Sequence, residues 1–148
     1  MKTKKFTTIL LLVFALGIVS CDKDDDPAPD NTITFQVTMA GTNEVPANTS
    51  AATGSATFTY NKTTYVLSGT VNFSGLTPTA GHIHKGAAGA NGGVIFPLGT
   101  APFTSPIAFA PVTLDATQQA DLMANMYYVN LHSVALPGGE IRGQLIKP

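Results

Sequence analysis

The chain has 148 residues, of which 44% are hydrophobic and 11% charged, and its eight Lys and Arg residues nearly balance nine Asp and Glu residues. This composition excludes a basic nucleic-acid-binding protein and a chain that is disordered throughout. Fourteen Gly, ten Pro and no Trp favour one compact domain built from strands and turns over a helix bundle.

The first 21 residues have the pattern of a secretion signal. Three lysines within residues 1–5 precede a largely apolar run of 14 residues, 6–19, and Ser20 stands directly before Cys21. The run is shorter than the about 20 residues that a spanning helix needs. The segment resembles the signal and lipobox of bacterial lipoproteins, which implies removal of residues 1–20 as a signal peptide and acylation of Cys21. Several acyl chains anchor a protein durably, so a membrane is the first expected partner.

Residues 21–31 are expected to form a flexible tether, because five aspartates and two prolines follow Cys21 with little to bury. An acidic run after a lipidated Cys resembles the export signal of surface lipoproteins in Bacteroidetes. That resemblance implies the outer face of the outer membrane, with the periplasmic face as the alternative.

Residues 21–148 carry a net charge of −4, but residues 32–148 hold four basic and four acidic side chains. This neutral segment is expected to bind neither nucleic acid nor an anionic lipid surface.

From residue 32 onward, apolar and polar residues alternate with a period of two, which is typical of half-buried strands. The inward side of the first predicted strand consists of Ile33, Phe35, Val37 and Met39. Residues 56–60 and 65–73 repeat the alternation around a turn at Asn61-Lys62 and predict a long hairpin, with Tyr65 on its inward side. Pro or Gly residues separate five further predicted strands: 80–85, 93–98, 107–114, 127–133 and 140–146.

One short helix is predicted over residues 116–125. Asp115 stands at the N-cap position and Gln118 follows three residues later, which is the pattern of a capping box. Ala120 and Met123 are expected to face the sheets. Seven or eight short strands with one connecting helix indicate an all-β fold, an antiparallel sandwich.

Four motifs, in order along the chain, resemble those of the CHRD domain, which is named for chordin. They are Gly41-Thr42-Asn43-Glu44-Val45-Pro46, Gly81-His82-Ile83-His84-Lys85-Gly86 with the glycine-rich loop that follows, Tyr128-Val129-Asn130-Leu131-His132-Ser133, and Pro137-Gly138-Gly139-Glu140-Ile141-Arg142-Gly143-Gln144-Leu145. The resemblance assigns residues 32–148 to one CHRD domain. It implies an immunoglobulin-like β-sandwich, found in extracellular regulators and bacterial surface proteins, without an assigned enzymatic activity. One departure is Ala-Asn-Thr after Pro46, where a second Pro is common.

All three histidines of the chain lie in two of these motifs. On a strand, His82 and His84 project from the same face, at a spacing that lets two imidazoles share one metal ion. His132 would complete a three-nitrogen site for copper or zinc, and Glu140 could add a carboxylate ligand or orient an imidazole. The alternative is structural: the His-x-His pair holds the glycine-rich loop through hydrogen bonds. A dinuclear site like that of copper-zinc superoxide dismutase would need more histidines.

Three further polar residues of the motifs are candidates for structural or ligand contacts. Glu44 and Arg142 are charged residues in a domain with few charges, which suits either a buried pair or a group that touches a ligand. Asn130 shares a strand side with His132, opposite Val129 and Leu131.

No catalytic machinery is recognisable, because the chain has no Gly-x-Ser-x-Gly elbow and the four acids of residues 32–148 are dispersed. The protein is therefore not expected to be an enzyme. The first hypothesis is a membrane-anchored binding or adhesion module for an unidentified protein or glycan. The second is a metal-binding domain that uses the three histidines; one form of this hypothesis gives the metal a redox-related role.

Overall fold

The computed structural model describes residues 31–148. The predicted signal peptide, the lipidated Cys21 and the tether up to residue 30 lie outside the described residues. Within the described part, no helix has the length and apolarity that a membrane span requires.

The described residues form eight strands and one helix. The strands are β1 (Thr32–Ala40), β2 (Thr53–Asn61), β3 (Val66–Ser74), β4 (Ala80–Lys85), β5 (Gly93–Pro97), β6 (Ile107–Thr113), β7 (Tyr127–His132) and β8 (Ile141–Gln144). A 3-10 turn at Gly41–Asn43 follows β1, and helix α1 (Ala116–Met123) connects β6 to β7. The all-β class, the strand number and the single helix are thus confirmed.

The strands form one curled antiparallel sheet rather than two separate sheets. Their order is β5-β4-β7-β8-β1-β2-β3-β6. A single residue pair, Ala40 with Arg142, joins β1 to β8 and links the two halves of the sheet. The edge strands approach each other across the core, where the rings of Phe96 and Phe109 are 6.1 Å apart. The two-sheet, immunoglobulin-like arrangement is therefore not confirmed.

The predicted alternation places the core on the inside of this sheet. In β1, Phe35, Val37 and Met39 are buried and their polar neighbours are exposed, and β2 repeats this pattern. Tyr65 is a correction: its side chain is 47% exposed, because it lies in the turn before β3 with a φ of 60°, outside the strand alternation.

Helix α1 begins as predicted but packs through a different residue. The side chain of Asp115 accepts a hydrogen bond from the backbone N–H of Gln118, and the side chain of Gln118 accepts one from the backbone N–H of Asp115. The capping box is thus confirmed. Leu122 is completely buried and Met123 is partly buried against the core, whereas Ala120 is exposed. The expectation for Ala120 was wrong, since the larger Leu122 occupies the inward position.

Candidate functional site

The candidate site lies on the outer face of β4, β7 and β8. The strand register places His82 opposite Asn130 and His84 opposite Tyr128, and Asn130 opposite Arg142. Alternation directs the intervening apolar residues, such as Ile83 and Val129, into the core. One face of three adjacent strands therefore carries polar residues of three of the four sequence motifs.

The three histidines meet on this face. Their ring centroids are 5.5 Å apart for His82 and His84, 5.1 Å for His82 and His132, and 5.7 Å for His84 and His132. Nδ1 of His82 lies 3.2 Å from Nε2 of His132. One nitrogen from each ring lies within 4.8 Å of the others. The structure thus brings together three imidazoles that are separated by up to 50 residues along the chain.

Two of the histidines have a ring orientation that backbone carbonyls fix. Nδ1 of His84 lies 3.0 Å from the oxygen of Gly92, and Nδ1 of His132 lies 3.1 Å from the oxygen of Pro137. A carbonyl oxygen only accepts, so both Nδ1 atoms carry the proton and donate it. Each Nε2 then keeps its lone pair, and Nε2 of His84 is buried without a hydrogen-bond partner among the described residues. Carbonyl partners of this kind orient imidazoles that bind metals.

The surroundings favour the neutral form of the histidines, because they lower all three pKa values. Burial is the main cause that lowers the pKa of His82, and the neighbouring His84 lowers it further. Burial also lowers the pKa of His84. The hydrogen bond to the carbonyl of Gly92 raises this pKa, and the positive charge of Arg142 lowers it. The pKa of His132 is lowered by burial and by both other histidines, against the hydrogen bond to Pro137. Neutral imidazole is the form that binds metal ions.

The glycine-rich loop of residues 86–92 packs against the His84 side of the cluster. The hydroxyl of Tyr128 accepts a hydrogen bond from the backbone N–H of Gly92, and its ring is stacked on His84 at 4.9 Å. A Cβ on Gly92 would overlap the carbonyl of Lys85, so the close approach of loop and strand requires glycine. His84 therefore holds the loop with one nitrogen while its other nitrogen remains free.

Arg142 supports the same loop. Its Nε donates to the oxygen of Asn43 at 2.7 Å, and a terminal nitrogen donates to Ala90 and Asn91 at 3.3 and 3.1 Å. The guanidinium carbon lies 4.4 Å from the ring centroid of Tyr128. Arg142 is 2% exposed, and these contacts give it a structural role beside the cluster.

Glu44 is buried next to Asn130 rather than bonded to Arg142. The one ion pair within residues 31–148 joins Lys85 and Asp121 at 2.7 Å. Burial raises the pKa of Glu44 to about 7, although the charge of Arg142 and hydrogen bonds from Asn130 and the backbone of Val45 lower it. Within the described part, Oε1 of Glu44 and Oδ1 of Asn130 have no hydrogen-bond partner. Glu44 and Arg142 therefore attract each other electrostatically without forming an ion pair.

Glu140 is not part of the histidine cluster, which is a correction. Its carboxylate accepts a hydrogen bond of 2.7 Å from the hydroxyl of Ser50, and the group of potential metal ligands contains only the three histidines. The physical reason is the bend before β8. Gly139 has a φ of 139° and β8 begins at Ile141, so strand alternation does not extend back to Glu140.

Sequence reasoning missed the residues that orient the rings. Tyr128 stacks on His84, and the carbonyls of Gly92 and Pro137 hold the two Nδ1–H groups. The alternation of Tyr128, Asn130 and His132 along one strand was a usable signal for Tyr128. No residue pattern identifies a carbonyl contact, because every residue has a carbonyl.

With the geometry established, comparison with known proteins identifies the family. The model of the CHRD domain matches residues 35–145, which include every strand except the first residues of β1. The chain belongs to the CHRD domain family, as its four motifs predicted. Neither the curated proteins nor the solved structures contain a match.

Proposed function

We propose that this protein is a non-catalytic binding module of the bacterial cell envelope and that His82, His84 and His132 bind one divalent transition-metal ion. The observation that carries the proposal is the convergence of three imidazoles, with one nitrogen from each within 4.8 Å of the others. Membership of the CHRD family supports a binding role, since the family resemblance implies no enzymatic activity.

The distances suit a metal ion with little rearrangement. Nitrogen ligands of a tetrahedral zinc ion lie roughly 3 Å apart, and the nitrogens of His82 and His132 are 3.2 Å apart. All three nitrogens lie within 4.8 Å of one another. Imidazole ligands suit both zinc and copper, and Cu(II) binds more tightly than Zn(II) to a given site. Copper or zinc is therefore the proposed ion.

The proposed location is the outer membrane, with Cys21 as the lipid anchor. The basic start, the apolar run and the Ser20–Cys21 junction support this part of the proposal. The acidic residues after Cys21 favour the cell surface, with the periplasmic face as the alternative. The neutral charge of residues 32–148 leaves no electrostatic reason for the domain itself to lie against lipid.

The test is metal titration of the mature chain, residues 21–148, carrying Cys21→Ala so that the thiol cannot bind metal. Isothermal titration with Zn(II) and Cu(II) is expected to show one site per chain. His82→Gln should weaken binding at least about tenfold, because His82 hydrogen-bonds only to His132 within the described residues and holds no loop. Lys85→Gln on the same strand is the matched control, since Lys85 pairs with Asp121. Equal affinity for His82→Gln and the control would refute the site.

An adhesive surface is the second candidate function, and the outer face of β1, β2 and β3 favours it. The register aligns nine outward positions in three rows, all uncharged and polar. They are Thr34, Gln36, Thr38, Ser55, Thr57, Thr59, Ser68, Thr70 and Asn72. Hydroxyl and amide groups without charge suit a neutral polysaccharide, whose hydroxyls donate and accept hydrogen bonds in the same way.

Co-sedimentation with an insoluble neutral glucan tests this second candidate. The mature Cys21→Ala chain is expected to sediment with the glucan, and Thr57→Lys, at the centre of the face, is expected to remain in solution. Thr117→Lys on α1 is the control for added charge. Sedimentation of Thr57→Lys to the same extent as the control would exclude this face as the adhesive surface.

A further inference from the structure

We propose that the three-histidine site leaves one coordination position open on the side of His82 and that this position takes an exogenous carboxylate. The inference rests on the proposed function, since it names the ligand class of the same metal site. Three observations support it: the set of possible ligands, the exposure of the three rings, and the charge of the site when it holds a metal ion.

The described residues offer no fourth histidine, cysteine or acidic side chain as a ligand. The cluster of possible ligands within residues 31–148 contains three histidines and no acid. Glu140 is held by Ser50, and the hydroxyl of Tyr128 is occupied by the N–H of Gly92. The one cysteine of the chain is Cys21, the proposed lipid attachment. Zn(II) and Cu(II) accept at least four ligands, so a three-histidine ion has a position that no His, Cys, Asp or Glu of the described residues fills.

The exposure of the rings gives the direction of the open position. His84 and His132 are buried, with exposed fractions of 8% and 9%, and carbonyls of Gly92 and Pro137 hold their far sides. His82 is the most exposed of the three. A ligand from solution or from a partner therefore reaches the ion beside His82, whose ring is hydrogen-bonded to His132 and to no loop among the described residues.

The charge of the loaded site favours an anion. Three neutral imidazoles leave both positive charges of the ion uncompensated. Arg142 adds to the positive potential, because its charge already contributes to the lowered pKa of His84. The Lys85–Asp121 ion pair adds no net charge. Glu44, which interacts with Arg142, is partly protonated near pH 7 because burial raises its pKa to about 7. A carboxylate is a common oxygen ligand of zinc, at about 2.0–2.2 Å, and it supplies the missing negative charge.

The carboxylate has two sources, a free small acid or an acidic side chain of a partner protein. Both present the same group to the ion, so the structure alone assigns the shared chemistry. A partner-borne carboxylate would make the metal ion a bridge between this module and its ligand, which joins the metal site to a binding function.

Cobalt spectroscopy tests the inference. The mature Cys21→Ala chain is loaded with one equivalent of Co(II), whose visible bands respond to ligand number. Acetate is then titrated at constant ionic strength, with the neutral acetamide as the matched probe. Acetate is expected to shift the bands to saturation, at a concentration at least about tenfold below that for acetamide, a difference of about 1.4 kcal/mol. His82→Gln should abolish the acetate response.

A blocked peptide with one Glu, compared with the same peptide carrying Gln, distinguishes the two sources. A response to acetate and to the Glu peptide supports a partner-borne carboxylate, and a response to acetate alone supports a small free acid. If Co(II) binds in a manner that depends on His82 but its bands respond neither to acetate nor to the Glu peptide, the open position is refuted and the metal site is supported. Failure to bind Co(II), Zn(II) or Cu(II) at the histidines overturns both proposals.

Discussion

At the scale of single residues, the imidazole of His84 combines a structural role with the metal-binding role proposed for it. Nδ1–H of His84 donates to the carbonyl of Gly92, and this contact leaves Nε2 buried without a partner within the described part of the chain. An unpaired buried nitrogen costs free energy. A metal ion at Nε2 would remove that cost, so the structural role and the metal-binding role of His84 support each other.

Substitution of Gly92 tests whether the packing of the glycine-rich loop supports the histidine cluster. Gly92→Ala would force the loop away from the Lys85 carbonyl, with an expected loss of about 2 kcal/mol or more in unfolding free energy. It should also weaken metal binding, because the carbonyl that orients His84 moves. Gly93→Ala is the control, since a Cβ there meets no atom within 4 Å. Urea denaturation and metal titration of both variants measure the effects, and equal behaviour would contradict the account.

Glu44 predicts a pH dependence of stability. Its pKa in the folded protein is about 7, above the usual 4.5, so between these values the folded state binds more protons than the unfolded state. Its contribution is therefore fully present at low pH and is lost as pH rises toward 7. Glu44→Gln should be more stable than the wild type at pH 8, and below about pH 7 the difference should shrink by up to about 1.4 kcal/mol per pH unit.

Urea denaturation of both proteins with a chelator present, at pH 5 and pH 8, provides the measurement for Glu44. Glu140→Gln is the matched control, because Glu140 has its Ser50 partner. A pH dependence that is the same in the wild type and in Glu44→Gln would show that Glu44 ionises normally.

At the scale of elements, local sequence signals were sufficient for most of the structure. Alternation predicted the strands because each inward residue, such as Phe35 or Phe58, is buried in the core. The signals failed where the chain leaves regular geometry. Gly139, with its φ of 139°, ends the alternation that appeared to extend to Glu140. Tyr65, with a φ of 60°, lies in a turn although its spacing from Leu67 fits a strand.

The helix start is the element whose stability is simplest to test. Asp115→Ala removes the side-chain acceptor for the N–H of Gln118 and should lower the unfolding free energy by about 1 kcal/mol. Thr117→Ala, an exposed position on α1, is the control and should change stability little. The metal affinity should be unaffected by both. Thermal or urea denaturation that finds Asp115→Ala as stable as the control would mean that the cap contributes nothing.

At the scale of the whole molecule, the sequence predicted the strands but not the closure of the sheet. One residue pair, Ala40 with Arg142, joins β1 to β8, and these residues are about a hundred positions apart in the chain. No local pattern reports such a long-range pairing. The same limit applies to the candidate site. The sequence identified its three histidines as candidate ligands, but only the register of β4 and β7 shows that they lie close together.

Anchoring is the whole-molecule prediction from the sequence. Cys21→Ala should move the protein from the membrane fraction to the soluble or secreted fraction, because the acyl chains supply the membrane affinity. Ser20→Ala, which keeps a small residue before Cys21, is the control and should remain in the membrane fraction. Immunoblotting of both fractions measures the shift. Unchanged membrane association of Cys21→Ala would contradict the lipid anchor.

We have proposed that three imidazoles of this domain bind one metal ion and leave a position for an outside ligand. X-ray absorption at the zinc edge, on the mature Cys21→Ala chain loaded with one equivalent of Zn(II), tests it most directly. We expect three imidazole nitrogens and one further oxygen or nitrogen atom at about 2.0–2.2 Å from the zinc ion, and loss of imidazole scattering in His82→Gln. A shell of oxygen atoms without imidazole, or zinc that is lost on desalting, would contradict the account.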